Sequence, residues 1–133
     1  MAQDSGIKAL PTHLTLEVVT PDRSVVTEQV DEVEIPGAEG YFGVLPGHTP
    51  LLATMQVGEL WYRKGTEKVY LSIAFGFAEV LPDRVTILAQ LAERADEIDV
   101  ARAEAAKRRA EERIAMMKAL IRLQVASRSR TRV

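Results

Sequence analysis

The chain has 133 residues, 47% hydrophobic and 27% charged, which suits one ordinary domain with an appendage. Seventeen basic side chains against nineteen acidic ones leave a formal charge of -2, so a general polyanion binder is excluded. The absence of cysteine excludes a disulfide framework, a thiolate zinc site and a cysteine nucleophile, and His13 and His48 are too few for a histidine-only metal site.

No apolar run approaches the roughly 20 residues of a membrane helix, and no secretory apolar segment opens the chain, so a soluble, intracellular protein is expected. All eight glycines and all six prolines precede residue 83. The charge divides nearby: residues 1–92 carry 6 basic and 12 acidic groups, and residues 93–133 carry 11 basic and 7 acidic. Glycine and proline punctuate turns, and their absence permits long helices. The pattern predicts an α+β protein in two parts: a turn-rich acidic β-sandwich or barrel over 13–92, then a basic helical region over 93–133.

Residues 1–12 show no periodicity and are expected to form a flexible arm. In HLTLEVV, Leu14, Leu16 and Val18 alternate with Thr15 and Glu17, as a half-buried strand requires. Thr20-Pro21-Asp22 signals a turn. Ser24–Val26 and Val30–Ile35 are strand candidates, the second closed by Pro36-Gly37. Gly43-Val44-Leu45-Pro46-Gly47-His48 reads as a tight loop, with His48 satisfying backbone groups. Leu51–Val57, Glu59–Arg63, Val69–Phe75, Phe77–Leu81 and Val85–Leu91 continue the strands, with reversals at Lys64-Gly65-Thr66 and Pro82-Asp83. Short strands at this spacing, without intervening helices, predict a sandwich or closed barrel rather than a parallel α/β sheet.

Asp96 is the expected helix cap, with Asp99 three residues on in a capping-box-like position. A stripe follows: Val100, Ala103, Ala106, Ala110, Ile114, Met117, Ile121 and Val125. Much of it is alanine, so the face is shallow and should dock weakly. Nothing between Val100 and Val125 signals a turn, and the stripe fits either a helical hairpin or one long helix. The terminal SRSRTRV is expected to fray.

The block GYFGVLPGHTPLLATMQVGEL (40–60) resembles the signature of the epsilon subunit of the F-type proton-translocating ATP synthase of bacteria. VVTPD (19–23), GFAEVLPDRVTILA (76–89) and AERADEIDVARA (92–103) follow that family's order and spacing, and the likeness spans nearly all of 14–126. The resemblance implies a sandwich of about ten strands followed by a helical hairpin. It also implies a non-catalytic central-stalk (rotor) subunit at the cytoplasmic face of the bacterial inner membrane. Such a subunit couples proton flow through the c-subunit ring to ATP synthesis and opposes ATP hydrolysis through its helical region.

By resemblance, the region of Tyr41, Phe42 and His48 meets the gamma subunit and the c ring; Tyr41 stands where some relatives carry an acidic residue facing the ring. The chain has no P-loop and no nucleophile–base pair, so no catalytic site of its own is expected. Ile98, Asp99, Arg102 and Ala103 match the family's ATP-binding pattern, joined by Glu93 and by Lys118 and Arg122 from the segment corresponding to its second helix. Regulatory ATP is thus one reading of these residues. The other is a local pairing of Asp99 with Arg102 three residues on. The segment between the two motifs is roughly a dozen residues shorter than in two-helix members. Lys107, Arg108, Arg109 and Arg113 read either as a solvated face or, by resemblance, as a contact for an acidic segment of the beta subunit. A small nucleic-acid-binding protein with a basic tail is the alternative of another class, opposed by the acidic body and the single Trp61.

Overall fold

The computed structural model describes residues 9–128. The chain divides after Glu97 into two compact units. The first holds eight strands: β1 (Leu14–Val19), β2 (Ser24–Val30), β3 (Glu32–Gly37), β4 (Gly40–Val44), β5 (Leu51–Met55), β6 (Gly58–Lys64), β7 (Glu67–Leu81) and β8 (Arg84–Arg94). A short 3-10 turn, Ala95–Glu97, ends it. Among the described residues, the second unit holds one helix, α1 (Val100–Arg128).

Hydrogen bonding links all eight strands. β1 lies between β2, antiparallel, and β8, parallel. β3 pairs with β4 and β6 and touches β5 at Gly37–Met55. β7 is 15 residues long and serves two neighbours. Its first half pairs with β6, its second half with β5, and β8 runs alongside both. The change of neighbour falls at Phe75 (φ 56) and Gly76 (φ 127), in backbone conformations that bend the strand without shifting its register against β8. A Cβ at Gly76 would lie 1.9 Å from the Leu88 carbonyl oxygen, so only glycine fits this approach.

Among the described residues the sandwich has eight strands rather than about ten; the separate strands expected at Val69–Phe75 and Phe77–Leu81 are one, β7, which passes unbroken through the bend. Gly43 and Val44, expected to begin a tight loop, instead end a strand, Gly40–Val44, paired with β3. Pro36 and Gly37, expected to end β3, lie within it.

Alternation builds the core. Leu14, Leu16 and Val18 of β1, Leu60 and Tyr62 of β6, Leu71 and Ile73 of β7, and Val85 and Ile87 of β8 are all buried. No charged residue joins them, among the described residues. The Tyr62 hydroxyl reaches the edge of this core and donates to Glu28 at 2.9 Å. Burial and the Glu28 carboxylate push the phenol up to about 12. Glu28, which also accepts from Lys64, is held below the usual carboxylate range mainly by that lysine.

The helix is continuous over 29 residues, about 44 Å. This decides between the hairpin and the single helix: with no Gly, Pro, Asn or Asp from Val100 to Val125, nothing interrupts the backbone ladder. The cap is Asp99, not Asp96. Its Oδ1 accepts from the Arg102 N–H at 3.0 Å, and its carbonyl accepts from Ala103 at 2.9 Å. Asp96 belongs to the 3-10 turn. Ser127 and Arg128 continue the helix, whereas the remainder of the expected frayed end (129–133) and residues 1–8 of the expected arm lie outside the described residues.

Candidate functional site

The signature block spans β4, the loop at 45–50, β5 and the start of β6. His48 holds its own turn: its Nδ1 lies 2.6 Å from the Thr49 carbonyl and its backbone N–H donates to Leu45. Gly47 (φ 87) donates to Pro82 at 2.7 Å, tying the loop to the β7–β8 turn. His48 thus satisfies backbone groups, as its setting among Pro46, Gly47 and Pro50 predicts.

Tyr41 is 52% exposed, but its position is fixed. Its hydroxyl accepts from the Glu59 N–H at 3.0 Å, and it lies so close over Gly58 that a Cβ there would meet the hydroxyl at 2.5 Å. Phe42 is half-buried against the core. Tyr41 and Phe42 are adjacent on β4 and point to opposite faces, so the structure offers Tyr41 outward and retains Phe42 inward.

Leu45, Leu51 and Leu52 are also exposed, Leu52 by 71%. Sequence reasoning missed these leucines; the available signal was Leu51-Leu52, two adjacent apolar residues where strand alternation permits only one to face the core. A second exposed group lies at the bend: Phe75, Phe77 and Leu91, with Leu88 opposite Phe77. The signal there was Phe75-Gly76-Phe77.

The expected nucleotide residues are distributed over several elements. Glu93 faces outward from β8 opposite Ser72, and Ile98 precedes the helix. The Asp99 carboxylate is engaged in capping, so it binds the Arg102 backbone N–H rather than the guanidinium. Arg102 and Ala103 lie in the first turn and are exposed. Lys118 and Arg122 are 16 and 20 residues further along one straight helix, about 24 and 30 Å from Arg102 along its axis. The helix brings Lys118 and Arg122 together beside Ile114, Met117 and Ile121, but does not bring them to Arg102.

Lys107, Arg108, Arg109 and Arg113 are exposed and form no ion pair within the helix, among the described residues. Beyond Arg113 the helix carries Lys118, Arg122 and Arg128 and no acidic residue. Its large apolar side chains stand in solvent, from Ile114 at 53% to Leu123 at 69% exposed. No group of side chains suited to a metal occurs among the described residues.

The family profile described as ATP synthase, Delta/Epsilon chain, beta-sandwich domain matches residues 13–95. The chain is 49% identical over 130 residues to the ATP synthase epsilon chain 2 of Syntrophotalea carbinolica, covering 86% of this chain and 94% of that one. It is 56% identical over 98 residues to the ATP synthase epsilon chain of Koribacter versatilis, covering 74% and 69%. Among solved structures it is similar to a chain of the Euglena gracilis mitochondrial ATP synthase, OSCP/F1/c-ring, with TM-score 0.71, 27% identity and coverage of 84% and 72%. The profile takes in the whole strand series and the relatives extend into the helix, so this chain belongs to the delta/epsilon chain family of ATP synthase, alongside bacterial epsilon chains.

Proposed function

We propose that this chain is a central-stalk subunit that grips the gamma subunit and the c-subunit ring through its sandwich, and opposes ATP hydrolysis through its helix by contact with the beta subunit. The sandwich offers an apolar seat at Leu51 and Leu52, beside the half-buried Phe42, on a framework braced by backbone hydrogen bonds, and Tyr41 on the other face of β4. Such a seat transmits torque because its side chains are held before the partner arrives. The helix offers a basic proximal face at Lys107, Arg108, Arg109 and Arg113, and an apolar distal half.

One observation carries the regulatory reading: not one residue of α1 is buried, though it holds seven large apolar side chains from Ile114 to Val125. Burial of apolar surface favours association by roughly 25 cal/mol per Å². A helix so furnished gains most where a partner covers it, and a switch needs such a difference between states.

No helix among the described residues is long and apolar enough to cross a membrane. The test is truncation after Glu97 in the assembled bacterial enzyme. That cut keeps β8 entire, whereas a cut at residue 93 would remove its last two residues. Proton-coupled synthesis should persist while ATP hydrolysis rises; unchanged hydrolysis would reject the inhibitory role, and lost coupling would reject the division of labour.

A further inference from the structure

Glu97 is the last residue of the first unit, and its carboxylate is fully used. The Arg23 guanidinium donates to it through both terminal nitrogens, each at 2.9 Å, and the Arg94 backbone N–H donates to Oε1 at 3.1 Å. Arg23 is itself anchored: its carbonyl accepts from the Thr20 N–H at 2.9 Å, closing the β1–β2 turn. A planar fork on a carboxylate is the ion-pair geometry that holds orientation as well as charge. Two residues later Asp99 fixes the start of α1. Only Ile98 separates the clasp from the cap.

We propose that the Arg23–Glu97 pair is a clasp that pins the 3-10 turn to the sandwich and, with the Asp99 cap, confines the articulation between the two units to Ile98. A sandwich and a long helix joined by loose chain would not hold the root of the helix at a fixed point. Confinement to one residue gives the helix a defined fulcrum while leaving it free to turn. If Glu97 were released, the joint would lengthen back through Asp96 and Ala95 to the end of β8. Arg94 lies nearby with Asp96 3.7 Å away, and the Arg23 hydrogen bonds, then that of Arg94, hold the Glu97 carboxyl well below its usual range.

This inference concerns the joint and stands apart from the inhibitory reading, because it is tested on the free full-length chain. Backbone order parameters from nitrogen-15 relaxation are measured for the unsubstituted chain, Glu97→Ala, Arg23→Ala and the double variant. In the unsubstituted chain, residues 95–97 should share the values of β8, near 0.85, with the decrease confined to Ile98. In both single variants, residues 95–97 should fall below about 0.6 while β7 and α1 keep their values. The double variant should be no looser than Glu97→Ala. Residues 95–97 already mobile in the unsubstituted chain, or still rigid in Glu97→Ala, would overturn the clasp. Loosening that spreads through β7 would assign Glu97 to global stability instead, and a double variant much looser than either single one would show that the two residues act separately.

Discussion

The two units handle the same kinds of side chain in opposite ways. In the sandwich, Leu16, Ile35, Leu71 and Ile87 lie at or near zero exposure, since strand alternation aims every second residue at a layer that exists within the chain. In the helix, Ile114, Leu120, Ile121 and Val125 are each more than half exposed. The contrast teaches that apolar content alone does not make a core. The sandwich encloses a core of its own, whereas the distal helix leaves its large apolar side chains exposed.

The sharpest way to break that comparison is to truncate one leucine in each unit. Leu16→Ala should lower unfolding free energy by about 2–5 kcal/mol, and Leu120→Ala should change it by less than about 0.5 kcal/mol, read from denaturant midpoints. Equal effects would mean that the helix is part of the folded core.

The bend in β7 comes next. Gly76→Ala should cost about 1–3 kcal/mol, because its Cβ would strike the Leu88 carbonyl and its φ of 127 is a glycine conformation. Phe75→Gly should instead raise the thermal midpoint, removing about 1–2 kcal/mol of left-handed strain at φ 56.

Smaller effects sharpen the picture within each unit. Tyr62→Phe should cost about 1 kcal/mol through loss of the hydrogen bond to Glu28. The phenol should ionise near 12 rather than 10 in an ultraviolet titration. A raised phenol stabilises the fold below pH 10, and that contribution disappears as pH rises towards 12. Asp99→Ala should fray the first turn of α1 by about 1 kcal/mol, seen in circular dichroism as fewer helical residues.

The smallest effect concerns Glu97, whose carboxyl is depressed to about 2 beside Arg23, Arg94, Asp96 and, through Arg23, Glu93 and Asp22. A depressed acid contributes fully above its unfolded value of 4.5 and loses that contribution as pH falls through about 2. The Arg94 amide resonance should therefore titrate near pH 2, and a midpoint near 4.5 would contradict the pair.

Much of the fold was legible because the signals were local. Leu14, Leu16 and Val18 announced a strand by alternation, Lys64-Gly65 announced a reversal, and the proline- and glycine-free stretch announced a helix. The unbroken path of β7 was not legible, since Phe75-Gly76 reads as punctuation unless the β8 partner holding both halves in register is known. The outward surfaces were only half legible. The loop around His48 was visible from its glycines and prolines, but the exposure of Leu51 and Leu52 depends on which layer covers β5. Arg23 and Glu97 are 74 residues apart, and no periodicity links them.

The amino-acid sequence by itself determined the division into a turn-rich acidic body and a basic helical region, because glycine, proline and charge act through the backbone and solvent near each residue. Tertiary structure alone decided that β7 bends without breaking, that Asp99 rather than Asp96 begins the helix, and that Arg23 closes on Glu97. Each of these depends on groups remote in the chain, or on competing local geometries, being brought to within hydrogen-bonding distance.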